Sequence, residues 1–313
     1  MSKPPENITK FNIGILIIMG KTKSLDEFVE QFRVKPGRNV CLKKDFDPGF
    51  HGDYFDKNSA ADALQEGIVH LAQWQEKLYA EGTRSLLIIF QAMDAAGKDS
   101  TIKHVMSGLN PQGCQVTSFK TPSAQELSYG YLWRCAKAVP PKGFIGIFNR
   151  SYYEEVLVTK VHPEILNAQN LPVKEYDNKF WKRRYDQINA FEDYLTSTGT
   201  TILKFFLNVS AEEQKKRFLE RLKNEEKNWK FSTSDLKERA CWDEYQAAFN
   251  DMLSATSTAA APWYVIPADK KWFTRLAVAA TIYLTLEDLN PKFPAVSEIQ
   301  KAAFADARKA LEN

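Results

Sequence analysis

The stretch Phe90 to Thr101, FQAMDAAGKDST, holds the residues whose types and spacing are best suited to chemistry. It approaches the pattern G-x-x-x-x-G-K-[ST], in which backbone N–H groups and a helix N-terminus surround phosphate oxygens and the lysine adds a point charge. Gly97 and Lys98 stand in place, and Ala95, Ala96, Asp99 and Ser100 complete the cradle, but the first glycine is Ala92 and the final hydroxyl position is Asp99. Alanine at 92 costs little if that residue keeps a negative φ, whereas Asp99 removes the hydroxyl that normally meets Mg²⁺, so metal binding must be rearranged. Asp94 would repel a polyanion unless Mg²⁺ bridged the two or the carboxyl held a proton, which makes it a metal ligand or general base, the metal role being favoured. The bland alternative is a strand-turn-helix in which Gly97 closes the turn and Asp99 complements the helix dipole.

Other charged residues fall where such a loop would need them. Asn149 occupies the place of a Walker-B carboxylate at a strand end, Arg150 follows it, and Glu154 lies on the next turn within reach of a metal. For Arg150 the bland alternative is a surface ion pair. Arg184 falls in the apolar stripe Phe180, Ile188, Phe191, Leu195 and therefore needs a partner, either a structural carboxylate or a substrate phosphate. Arg217 and Arg221 share a helix face, as in a closing lid that neutralises phosphoryl oxygens, or in a solvated basic face paired with Glu213 or Glu220. Lys103, Lys120 and Arg134 extend a positive track, each of them singly more often a solvent-facing charge. Trp229, Phe231, Trp242 and Tyr245 are read as core packing ahead of base contact.

The elements that must position these groups alternate. Apolar runs at Ser85–Gln91, Gln115–Phe119, Phe144–Asn149, Ile202–Val209 and Trp263–Pro267 are separated by helical patterns, among them 58–81 and Asp99–Gly108. That alternation predicts an α/β fold with a five-stranded parallel sheet covered on both faces, its ligands at the carboxyl ends of the strands. The 313 residues, 44% hydrophobic and 26% charged, contain no repeat and no Pro/Gly/Ser-rich linker, so one domain with a turn-rich N-terminal arm is expected. A net charge of +3 is too small for a nucleic-acid coat. Cys41, Cys114, Cys135 and Cys241 show neither CxxC pairing nor zinc-like spacing with His51, His70, His104 or His162, which fits a reduced cytoplasmic compartment. The run Ile13–Met19 is far too short to span a bilayer, so no membrane is expected.

Six segments in order resemble the polyphosphate kinase 2 family, its class III members in particular: RVKPG (33–37), MDAAGKDSTIKHVMSGLNPQG (93–113), FNRSYYEEVLV (148–158), RYDQINAFE (184–192), EEQKKRFLERL (212–222) and APWYVIPADKKWF (261–273). The resemblance implies a P-loop kinase fold with a helical lid and reversible, Mg²⁺-dependent phosphoryl transfer from inorganic polyphosphate to nucleotides. It implies Asp94, Lys98, Asn149, Arg150 and Glu154 at the reacting site, Asp94 and Glu154 toward the metal and Asn149, Arg150, Glu154 and Arg217 toward the nucleotide. It places Arg217 and Arg221 in the lid and favours AMP as well as ADP as acceptor because Glu154 is a carboxylate. Dimers or tetramers are common in the family. Ala92 departs from the family's glycine, which predicts slightly altered loop geometry. These expectations divide the chain into a leader at 1–30 and a kinase domain at 31–313 with a lid at about 210–250 and C-terminal helices. An ATP-dependent nucleoside monophosphate kinase is the alternative enzyme, and a nucleotide-binding switch the alternative of another class, lowered by the lack of an NKxD motif downstream of the loop.

Overall fold

The computed structural model describes residues 24–52, 57–173 and 175–312. Five strands, β1 (Ser85–Gln91), β2 (Cys114–Ser118), β3 (Ile145–Asn149), β4 (Thr200–Asn208) and β5 (Trp263–Pro267), pair in the order β2-β3-β1-β4-β5, every pair parallel. The expected boundaries hold to within two residues. β1 is the apolar run SLLIIFQ, buried at every position, as a central parallel strand covered on both faces must be.

Helices α1 (Leu25–Glu30), α2 (Lys57–Glu81), α3 (Lys98–Val105), α4 (Asn178–Ser197), α5 (Ala211–Lys223), α6 (Thr233–Ala240), α7 (Trp242–Thr256) and α8 (Lys271–Leu289) accompany the sheet, and α9 (Glu298–Glu312) is exposed along its length. α8 packs on α2, α3 and α1, while α4 packs on β4 and α7. α3 stops at Val105, short of the expected Gly108, and the chain then passes so close to α2 that a Cβ on Gly108 would lie 2.3 Å from the Ile68 side chain. The expected leader at 1–30 is corrected at its end. α1 is capped by Ser24 and buries Leu25, Phe28 and Val29 in the core, so the described fold starts at residue 24; the rest of that expectation, with Ile13–Met19, lies outside the described residues. The arm continues past α1 and lies antiparallel to β5, with Val34 N–H donating to Trp263 O at 2.9 Å and Val265 N–H to Phe32 O at 2.8 Å. This covers a sheet edge that would otherwise present unpaired backbone. All four cysteines are free.

A charged network lies inside the core. Lys204 on β4 and Glu192 on α4 are 0% and 1% exposed, with Lys204 Nζ 2.6 Å from Glu192 Oε2. Lys204 also donates to Thr256 O and Tyr153 Oη, and the Tyr152 and Tyr153 hydroxyls both donate to Glu192 Oε1, at 2.8 and 2.7 Å. The pair thereby anchors the turn that follows β3. Burial, partly offset by Glu192, pushes the Lys204 ammonium down. Because removing one partner of a buried pair strands the other charge, Lys204→Met is expected to lose about 3–5 kcal/mol of stability. The double variant Lys204→Met/Glu192→Gln, whose amide oxygen still accepts from both phenols, should recover most of that loss in urea denaturation.

Candidate active site

The loop after β1 reaches the helix through two left-handed residues, Ala95 at φ 60° and Gly97 at φ 106°. The second position accepts a Cβ only with strain, which explains why glycine stands there. Ala92 is not among the residues with positive φ, so the missing glycine is tolerated as expected. Lys98, 8% exposed, folds back on the loop and donates from Nζ to Ala92 O at 2.9 Å and Met93 O at 3.4 Å. Burial, then the Arg150 charge, lower its pKa to about 8, while Asp94, Glu154 and Asp99 oppose the shift. Asp99, in the first turn of α3, accepts from Asn149 Nδ2 at 2.7 Å, a bond that ties the end of β3 to the start of the helix.

Arg150 follows β3 in the left-handed region, φ 65°, a strained conformation for a side chain of its size. Its N–H donates to Phe90 O on β1 at 3.0 Å, and the buried Ser151 Oγ accepts from Gln91 Nε2 at 3.2 Å, so the backbone is held at both sides of the turn. The half-buried guanidinium then faces the loop. Nη2 donates to Asp94 Oδ1 at 2.8 Å and Nη1 to Glu154 Oε2 at 3.4 Å, and Glu154, ahead of Asp94, raises the Arg150 pKa against the cost of burial. Asp94, Lys98, Arg150 and Glu154 are therefore brought together from two strand ends, as the sequence predicted.

Mg²⁺ commonly binds through one or two carboxylates plus substrate phosphates instead of an all-protein cage. Asp94 and Glu154 supply hard oxygen donors of that kind, and Asp94 Oδ2 accepts no hydrogen bond among the described residues. Likewise, among the described residues no three His, Cys, Asp or Glu side chains are grouped to hold a metal by themselves. The donor set fits the ion.

Several expected residues take other places. Arg217 is not a free lid arginine. At 4% exposure on α5 it donates to Ala95 O (3.0 Å), Ala96 O (2.8 Å), Ala268 O (2.6 Å) and Asp269 O (3.2 Å), with Nε on Glu213 at 2.8 Å. It holds the carbonyls of the loop and leaves the N–H groups to a ligand. Arg221 lies 3.6 Å from Asp235 on α6; burial and the neighbouring Asp94 charge push that carboxyl up while Arg221 holds it down. Arg184 has the carboxylate partner instead of a phosphate. Its Nε is 3.0 Å from Glu155 Oε1, misaligned for a hydrogen bond, and its guanidinium lies between the Tyr131 and Phe180 rings at 4.8 Å from each. Lys120 and Arg134 line a cavity of about 150 Å³ with Phe119, Tyr131, Arg150 and Glu154. Lys103 is exposed on α3. Trp229, read as core, is 78% exposed, whereas Tyr245 is buried and Phe231 packs edge-on to Phe218.

Three neighbours of the loop were missed. Gln214 donates from Nε2 to Asp94 O at 3.0 Å and is itself held by Arg239 at 2.7 Å, an arrangement without a sequence signal. Asp235 has a capping-box position after Ser232 that gives it an unrelated reason to exist. Arg275, bonded to Ser100 Oγ at 2.8 Å, was legible as a cation in the apolar stretch WFTRLAVAA.

With this geometry in place, comparison with known proteins is direct. The model of the family Polyphosphate kinase 2 (PPK2) matches residues 54–294. The chain belongs to the polyphosphate kinase 2 family. It is 46% identical over 286 residues to an ADP-polyphosphate phosphotransferase of Rhodopseudomonas palustris, covering 90% of this chain and 98% of the relative. It is 45% identical over 270 residues to an AMP/ADP-polyphosphate phosphotransferase of Meiothermus ruber, covering 85% and 96%. The crystal structure of polyphosphate kinase 2 from Arthrobacter aurescens TC1 superposes with a TM-score of 0.80 at 40% identity, covering 91% of this chain and 97% of that one. The P-loop kinase-like fold expected from the motifs is thus the fold observed. Among the described residues no helix is long and apolar enough to cross a membrane.

The lowered pKa of Lys98 has a pH consequence. Only the ammonium form neutralises a polyanion, and a bound polyanion raises the pKa again, so binding takes up a proton above about pH 8. Polyphosphate affinity is expected to fall as pH rises through that value, by up to about one decade per unit. Competition with a labelled polyphosphate from pH 7 upward checks it, and Lys98→Met should bind weakly without the pH step.

Proposed function

We propose that this protein transfers the terminal phosphoryl group of inorganic polyphosphate to nucleoside mono- and diphosphates, AMP to ADP to ATP, reversibly and with Mg²⁺. The observation that carries the reading is the convergence of Lys98, Asp94, Arg150 and Glu154 on one loop in a chain of this family. The names of the Rhodopseudomonas and Meiothermus relatives support the donor and the acceptors.

The donor's terminal phosphate lies on the loop N–H groups and Lys98. The acceptor nucleotide occupies the cavity beside Arg150 and Glu154, its aromatic and aliphatic walls (Phe119, Leu127, Tyr131, Val158) around the nucleoside and its phosphate toward Arg150. An oxygen lone pair of the acceptor phosphate attacks the terminal phosphorus in line; the bridging P–O bond breaks and leaves a chain one phosphate shorter. The acceptor is already ionised near neutral pH, so no side chain need remove a proton. Lys98 and Arg150 are placed to absorb charge as it moves to the bridging and equatorial oxygens, and Arg217 keeps the loop shaped for it. Asp94 and Glu154 are the residues that would hold Mg²⁺, which would supply neutralisation of phosphate charge. The helices at about 210–250 act as the lid. The enzyme works in the cytoplasm as a dimer or tetramer, without nucleic acid or membrane.

The test is to incubate the protein with AMP, polyphosphate and Mg²⁺ in the absence of ATP. ADP, then ATP, is expected by chromatography; activity that appears only when ATP is the donor would overturn the proposal in favour of a nucleoside monophosphate kinase. Glu154→Asn should lower AMP use several-fold more than ADP use in kcat/KM, because the smaller acceptor depends more on this carboxylate and its metal. A parallel loss with both acceptors would count against that role.

A further inference from the structure

Arg275 is a cation that the site described so far does not use. It stands on α8, is half-buried, and donates from Nη2 to Ser100 Oγ at 2.8 Å. Its Nε is buried without a hydrogen-bond partner, and among the described residues no carboxylate lies within 4.0 Å of it. Around the loop, Arg150, Arg217 and Arg221 each have an acidic partner. Burial alone lowers the Arg275 pKa, with no anion opposing. A guanidinium partly withdrawn from water, with one buried N–H left without an acceptor, gains from an anionic partner. Ser100, which Arg275 touches, lies two residues beyond Lys98 in the first turn of α3, where free backbone N–H groups favour an anion.

Topology gives the direction. Arg150, Glu154 and the acceptor cavity belong to the β3 side of the sheet, while α8 follows β5 at the opposite edge and packs on α3. In-line transfer requires the leaving chain and the incoming acceptor on opposite sides of the moving phosphorus. A chain whose terminal phosphate meets Lys98 therefore runs away from the cavity, toward Ser100 and Arg275.

We propose that Arg275, with Ser100 and the N-terminus of α3, forms a second phosphate subsite that holds the polyphosphate residues behind the one transferred. This rests on the donor reading above. Arg275 is a binding residue, not one that touches the reacting atoms, and it favours long donors over short ones.

The experiment compares wild type with Arg275→Gln and Arg275→Lys, whose folding is checked by thermal melting. Equilibrium binding of long-chain polyphosphate is measured by competition with a labelled chain over a range of salt. Arg275→Gln is expected to raise Kd about tenfold and to reduce the slope of log K against log salt by about one, the signature of one lost phosphate contact. Pyrophosphate, which carries a single phosphate behind the terminal one, should lose less affinity than the long chain. KM for AMP and kcat at saturating donor should not change, and Arg275→Lys should restore most of the slope. Unchanged long-chain affinity and slope overturn the subsite, as does a loss shared equally by pyrophosphate and AMP, which would mark a structural role. If the Gln variant does not fold, Arg275→Met, which keeps the apolar stem without the charge, is read by the same criteria: weaker long-chain binding with a smaller loss for pyrophosphate supports the subsite, and unchanged binding of both overturns it. Binding is read without turnover, so a wild-type protein that binds chains through Arg275 but does not phosphorylate AMP sinks the activity and leaves the subsite standing.

Discussion

The site depends on the backbone at Arg150. A left-handed residue at the end of a central strand sends the chain across the neighbouring strand end, and the bond from its N–H to Phe90 O fixes where it crosses. From that one conformation follow the reach of the guanidinium to Asp94, the placement of Glu154 on the turn beyond, and the position of the acceptor cavity. Strain of this kind persists only where surrounding structure over-determines it. Here the restraints are Ser151 bonded to Gln91 on one side and the two phenols bonded to Glu192 on the other.

Charge in this protein is arranged in two layers. Deep in the core, Lys204 and Glu192 satisfy one another and their tyrosines, a pairing closed to ligand and solvent alike. At the strand ends the pairing is incomplete by comparison. Lys98 rests on the loop's own carbonyls, Arg150 is shared between two carboxylates, and Arg275 has no acidic partner among the described residues. Temporary or absent partners are what a polyanion site needs, since the ligand must displace them. Arg217 belongs to the first layer although it lies next to the loop. Its guanidinium is committed to four carbonyls and a carboxylate, which makes it a brace for the cradle.

Much of the site was legible because phosphate chemistry constrains neighbouring residues. Glycine and lysine after a buried strand and before a helix mark the cradle, and the strand end FNR with a glutamate one turn on marks its partner. Roles that depend on what a long side chain meets in space were less legible. Arg184 and Arg217 both looked like cations seeking phosphate; one found Glu155 between two rings, the other found backbone. Arginine has five donors and a reach of several residues, so its spacing along a helix says which face it leaves from and little about where it ends.

The sequence alone determined the alternation of buried strands and amphipathic helices, the parallel sheet, the loop with its altered positions, and the family resemblance, because each rests on periodicity or local backbone chemistry. The tertiary structure alone decided which charges are paired. That depends on contacts between different elements of the fold: Asp94 pairs with Arg150 and Glu192 with Lys204, while Arg275 meets only the Ser100 hydroxyl. It also decided that residues 25–30 belong to the core, where Phe28 is buried edge-on against Phe273 of α8.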